Sequence, residues 1–125
     1  MDAAPYILIV DDEWNNRELL NAYLKFGGYR AGEANSGEKA LDMVAQEAPA
    51  LIILDVCLTG ISGLEVCRRL KDDPATRAIP ILMVTALEAP DDERQAVDAG
   101  ADGFIVKPFE METLLARIGS MLSKA

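Results

Sequence analysis

Leu51-Ile-Ile-Leu-Asp55 is the stretch on which the fold turns. Four consecutive aliphatic residues suit a strand whose two faces are both covered, as in a parallel sheet with helices on either side. Outward from it, short apolar runs alternate with segments of helical period. Upstream, Tyr6-Ile-Leu-Ile-Val10 reads as a first strand, and Leu19, Leu20, Tyr23 and Leu24 mark the inward face of a helix that stops at Gly27-Gly28. Residues 29 to 33 predict a weaker edge strand. Asn35 with Glu38 three residues on reads as a capping box for a second helix, with Leu41, Val44 and Ala45 facing the core and Pro49 closing it. Downstream, Ser62 with Glu65 opens a third helix through Leu64, Cys67 and Leu70, ended by Asp73-Pro74. Ile81-Leu-Met-Val84 predicts a fourth buried strand. A loop containing Ala89-Pro90 leads to Asp91-Asp-Glu93, acidic residues at the positive end of a short helix that Gly100 terminates. Phe104-Ile-Val106 is the last strand, and Leu114, Leu115, Ile118, Met121 and Leu122 line the last helix.

Strict alternation of strand and helix with short loops implies right-handed crossovers and helices on both faces of the sheet. The expected fold is a single doubly wound α/β domain, a flavodoxin-like (βα)5 sandwich over residues 1–125, with a parallel five-stranded sheet in order 2-1-3-4-5. The length of 125 residues suits one core and leaves no room for a separate effector domain within the chain.

Charge and composition narrow the chemistry. Acidic residues outnumber basic ones 21 to 12, a formal net charge of -9 that opposes direct binding to nucleic acid or to an anionic membrane. Zero histidines exclude Ser-His triads, His-ligated metals and a phosphohistidine on this chain. The two cysteines, Cys57 and Cys67, lack the spacing of a zinc or redox motif and are expected to be reduced thiols. Met1-Asp-Ala-Ala-Pro is no basic leader, and no window approaches the roughly 20 apolar residues of a membrane span. A cytoplasmic protein is expected.

In a doubly wound sheet, ligands bind beyond the carboxyl ends of the strands. Those ends carry Asp11-Asp12, Asp55, Thr85-Ala86 and Lys107-Pro108. One Asp after a strand is ordinarily a turn former or a helix cap. Four strands delivering three carboxylates, a hydroxyl and an ammonium to one edge make a coherent set. Carboxylates at ~4 Å repel by about 4 kcal/mol per pair at an effective dielectric of about 20, so a positive partner is required. Lys107 supplies one charge, and a divalent cation would cancel the remainder. Oxygen-only ligands select Mg²⁺, or Mn²⁺, over Zn²⁺. Asp12 would bind the metal directly, Asp11 largely through water, and Asp55 and the Cys57 backbone carbonyl would complete the protein ligands. A carboxylate nucleophile, a divalent metal, a Lys and a hydroxyl are the parts of phosphoryl transfer to Asp, with Asp55 the nucleophile and Thr85, the Ala86 backbone and Lys107 binding the phosphoryl group.

These motifs resemble the receiver domains of bacterial two-component response regulators. The resemblance rests on Ile-Leu-Ile-Val-Asp11-Asp12-Glu13, on Leu-Ile-Ile-Leu-Asp55 with Gly63 downstream, on Met-Val-Thr85-Ala86 and on Gly100-Ala-Asp-Gly-Phe-Ile-Val-Lys107-Pro108-Phe109. It implies an Asp55 phosphorylated by a histidine kinase, a histidine phosphotransfer protein or a small phosphodonor, and a chain that catalyses its own phosphorylation and dephosphorylation. It also implies a switch through Thr85 and Phe104 at the face of the fourth helix, fifth strand and fifth helix, which would meet a downstream protein target or a second copy. A cis bond at Lys107-Pro108 is expected on the same ground.

Three positions qualify the resemblance. Phe104 has no hydroxyl for a Tyr-type hydrogen bond. Thr59 stands where the family commonly has Pro, which affects the loop after the acceptor. Cys57 occupies a variable site through which the family governs water access to the acyl phosphate, and is expected to tune its lifetime. Trp14 is close enough to the acidic pair for its emission to report metal. Three other readings compete. A flavodoxin-like or dinucleotide-binding module needs a Gly-rich phosphate cradle, where the loop after the first strand is Asp11-Asp-Glu-Trp14. An Asp-nucleophile phosphatase needs a second acid two residues past the nucleophile, where this chain has Cys57, and a pseudo-receiver would keep the fold as an interaction module without phosphorylation.

Overall fold

The computed structural model describes residues 4–86 and 91–123. The Ala89-Pro90 loop and the first and last residues of the chain lie outside that set. Five strands, β1 (Tyr6–Val10), β2 (Arg30–Ala34), β3 (Leu51–Asp55), β4 (Ile81–Thr85) and β5 (Gly103–Val106), alternate with α1 (Trp14–Phe26), α2 (Gly37–Gln46), α3 (Gly63–Asp72), α4 (Asp92–Asp98) and α5 (Met111–Ser123). All neighbouring strands pair in parallel, in the expected order β2-β1-β3-β4-β5.

Strand alternation divides the core into two layers. Ile52 and Leu54 of β3 pack with Ala40 and Val44 of α2, Val66, Cys67 and Leu70 of α3, and Ala96 of α4. Leu51 and Ile53 point the other way, to Leu20 and Leu24 of α1 and Leu114, Ile118 and Met121 of α5. All five residues of β3 are buried, as a continuous apolar run at the sheet centre requires. Each fully buried Leu or Ile contributes about 1.5–3 kcal/mol relative to exposure, so this strand anchors both layers. β4 is held at its start by Asp102, whose carboxylate accepts from the Ile81 amide at 2.8 Å and pairs with Lys71 at 2.7 Å.

Three local expectations are corrected. Ser36, not Asn35, caps α2, its hydroxyl accepting the Lys39 amide at 3.1 Å. The buried face of α2 carries Ala40 and Val44, with Leu41 partly buried beside it, and Ala45, one position past Val44 at about 100° per residue, is turned out to solvent. In α1, Leu19 is exposed while Leu20 and Leu24 are buried, because one turn of a single-sided helix seats only part of an apolar cluster. By contrast, Ser62 caps α3 as expected, accepting the Glu65 amide at 3.2 Å. Gly28 and Gly100, after α1 and α4, have positive φ, the left-handed geometry that ends a helix and that glycine adopts without steric cost.

Candidate functional site

The carboxyl ends of β1, β3, β4 and β5 place Asp11, Asp55, Thr85 and Lys107 around one cleft. Asp55 ends β3 and is only 6% exposed. Its two carboxylate oxygens are held separately: the Cys57 amide donates to Oδ1 at 2.9 Å, and Lys107 Nζ donates to Oδ2 at 2.9 Å. A backbone N–H on one side and an ammonium on the other fix the plane of the carboxylate.

The loop that supplies the Cys57 amide is closed by Gly63. Its N–H donates to the Val56 carbonyl at 3.0 Å, and a Cβ at this position would collide with the Asp55 carbonyl oxygen. The glycine therefore lets the start of α3 approach the acceptor strand.

Asp11 follows β1 and is buried, with Oδ1 accepting the Glu13 amide at 2.9 Å. Its pKa is raised from 3.8 to about 6, first by burial and then by the neighbouring Asp55 carboxylate, against the Glu13 hydrogen bond and the Lys107 charge. Burial works against the charge of Lys107, but the hydrogen bond and charge of Asp55, with help from Asp11 and Glu13, outweigh it and raise its pKa. Lys107 is thus a fixed cation at neutral pH, bridging toward two crowded carboxylates.

Asp12 takes a different direction. Its Oδ2 accepts from the Thr59 hydroxyl at 2.6 Å and from the Thr59 amide at 3.2 Å, tying the loop after β1 to the loop after β3. Among the described residues, no three carboxylate or thiol side chains converge into a complete metal cage. The donors that do meet are hard oxygens: buried Asp11 and Asp55, with Asp12 at the rim. Such a set suits Mg²⁺, which takes a few carboxylates and keeps several waters.

The remaining predicted residues surround this centre. Thr85 is buried at the end of β4, its carbonyl accepting the Lys107 amide at 2.8 Å, and Ala86 next to it is exposed. Cys57 is exposed at the mouth. Phe104 is half-buried against the α2, α3 and α4 layer. The Lys107-Pro108 peptide is cis. Trp14, at the start of α1, is 62% exposed.

Two contributors escaped the sequence reading. Arg17 Nη1 donates to the Asp11 carbonyl at 2.9 Å while its Nε pairs with Glu33 at 3.1 Å, so α1 and β2 together hold the backbone at Asp11. A cavity of about 210 Å³ opens beside the acidic pair, lined by Asp11, Leu19, Leu20, Lys107, Pro108 and Phe109. The exposed Leu19 had its signal in the α1 apolar cluster. Arg17 had none, since neither a backbone carbonyl six residues back nor Glu33 on β2 stands at a helical or strand spacing from it.

Comparison with known proteins gives matches over nearly the whole chain. Residues 7–119 match the model of the response regulator receiver domain. Response regulator PleD of Caulobacter vibrioides is 44% identical over 115 residues, covering 92% of this chain and 25% of that protein. Response regulator MprA of Mycobacterium leprae is 44% identical over 121 residues, covering 94% of this chain and 51% of that protein. The chain thus spans between a quarter and a half of these relatives. The receiver domain of sensor histidine kinase PA1611 from Pseudomonas aeruginosa, solved with magnesium coordinated in its active site cleft, superposes with a TM-score of 0.90 at 25% identity, covering 97% of this chain and 99% of that one.

Proposed function

The chain belongs to the response regulator receiver domain family, the phosphoryl-accepting module of two-component signalling, and from that membership we propose that Asp55 is its phosphoacceptor. The observation that carries the assignment is the Asp55 carboxylate itself, buried at the end of the central strand and held between the Cys57 amide and Lys107. A carboxylate oxygen of Asp55 attacks phosphorus, the bond from phosphorus to the donor's leaving atom breaks, and the leaving group departs with the bond's electron pair. With a phosphohistidine donor the leaving group is an imidazole, which suits a chain that has no histidine of its own.

Lys107 compensates the negative charge that builds on the phosphoryl oxygens, and the Thr85 hydroxyl and Ala86 amide stand at the next strand end to donate to them. Mg²⁺ is the cofactor the oxygen donors favour, held by Asp11, Asp12, Asp55 and the Cys57 carbonyl; when bound it neutralises charge on the phosphoryl group. The magnesium in the PA1611 receiver cleft supports that choice. A histidine kinase or a histidine phosphotransfer protein is the donor, and the face of α4, β5 and α5 meets the downstream target, with Thr85 and Phe104 carrying the switch.

Incubation with acetyl phosphate and Mg²⁺ tests the reading. Intact-mass spectrometry should show a gain of about one phosphoryl group, not formed when Mg²⁺ is chelated before the donor is added and absent in Asp55→Asn. An unmodified wild-type chain, or an Asp55→Asn variant modified to the same extent, overturns it.

A further inference from the structure

Thr59 is a departure from the family pattern beside the acidic cleft, and the structure shows what it does there. Its hydroxyl and its amide both donate to one oxygen of Asp12, at 2.6 and 3.2 Å, across 47 residues of sequence. A proline at this position could supply neither donor, having no hydroxyl and no N–H. We infer that Thr59 is a latch on Asp12, a positioning residue that holds this carboxylate toward the loop after β3, so that loading of the cleft with Mg²⁺ must compete with the Thr59 hydrogen bonds. The inference rests on the reading of Asp12 as a metal ligand.

Two physical arguments set the direction of the effect. Hydrogen bonds to an ionised acceptor are roughly twice as strong as neutral ones, and donation to Oδ2 withdraws negative charge that a cation would otherwise use. The contact also anchors the carboxylate at the rim, consistent with the absence of a complete three-ligand cage among the described residues. Thr59 is exposed and outside every helix and strand, so changing its side chain leaves both core layers intact. Water has access to Asp12 there, which limits the effect to a modest change in affinity rather than a switch between binding and none.

Calorimetric titration of the full chain with MgCl₂ tests the latch. Thr59→Val, isosteric but without the hydroxyl, should bind roughly threefold to tenfold more tightly, the range expected for removing one solvent-accessible hydrogen bond to a charged group. Thr59→Ser, which restores the donor, should return to the wild-type affinity. In wild-type protein the Thr59 amide proton should lose its hydrogen-bonded chemical shift as Mg²⁺ is added, a signature that a merely structural role would not produce. Unchanged or weaker binding in Thr59→Val, with Asp12→Asn losing affinity, overturns the latch and leaves Asp12 as a ligand. Wild-type affinity in Asp12→Asn overturns the ligand reading and the latch together.

Discussion

The Asp11 carboxyl, buried beside a second carboxylate, holds its proton up to about pH 6 against an ordinary value of 3.8. Between those values the folded chain binds more protons than the unfolded one, so stability falls as pH rises through that window and the cost is complete above it. Removing the charge while keeping the acceptor should therefore stabilise the metal-free protein. Asp11→Asn retains an oxygen for the Glu13 amide and deletes the repulsion with Asp55. Allowing for solvent screening at the open cleft, the gain at pH 7.5 is about 1–2 kcal/mol. That corresponds to roughly 3–8 °C in Tm for a domain of this size. Thermal melts in EDTA should show the difference at pH 7.5 and show most of it gone near pH 4.5. A variant less stable than wild type at pH 7.5 would mean that the Asp11 charge is compensated within the fold.

At the scale of elements, the helix starts separate what sequence pattern reads well from what it reads by one residue wrong. Asn35 and Ser36 are adjacent and both belong to the cap-forming residue types, and Glu38 three residues past Asn35 favours the former. Geometry decides for the latter: Ser36 has extended backbone and its hydroxyl accepts the Lys39 amide, at the head of a helix that buries Ala40 and Val44. The Ser36→Ala variant should lose about 1 kcal/mol of stability, while Asn35→Ala should change it by less than about half of that. Urea melts of the two variants measure this directly, and equal losses would return the cap to Asn35. The strands and α3 were legible because β3 and β4 each open on four consecutive apolar residues and Ser62 is the one hydroxyl residue at the start of α3. The ties that aim the site were not. Arg17 to the Asp11 carbonyl, Thr59 to Asp12 and Asp102 to the start of β4 each join residues from different loops or elements. No local period or spacing encodes such contacts; they exist only once the elements are packed, and the Thr59 to Asp12 tie only once the sheet order sets β1 beside β3.

Across the whole molecule, the acidic balance divides into a part that the cleft explains and a part that it does not. Three carboxylates against one ammonium leave the site with a formal charge of -2 within a total of -9, and that local excess is what a divalent ion would cancel. The two core layers share β3, so charge relieved at the tip of β3 stabilises the entire sheet and not one loop. Binding to the folded state alone raises stability by about 2.7 kcal/mol when the ion is at a hundred times its Kd, equivalent to several degrees in Tm. Saturating Mg²⁺ should accordingly raise the Tm of the wild-type chain at pH 7.5. The increment should shrink at pH 5, below the raised Asp11 pKa of about 6, because the ion then competes with a proton for the same carboxyl. Differential scanning calorimetry at the two pH values, with an Asp55→Asn control in which the increment is reduced, makes the comparison. An increment independent of both pH and Asp55 would place the bound ion on the remaining acidic surface and not at the strand ends.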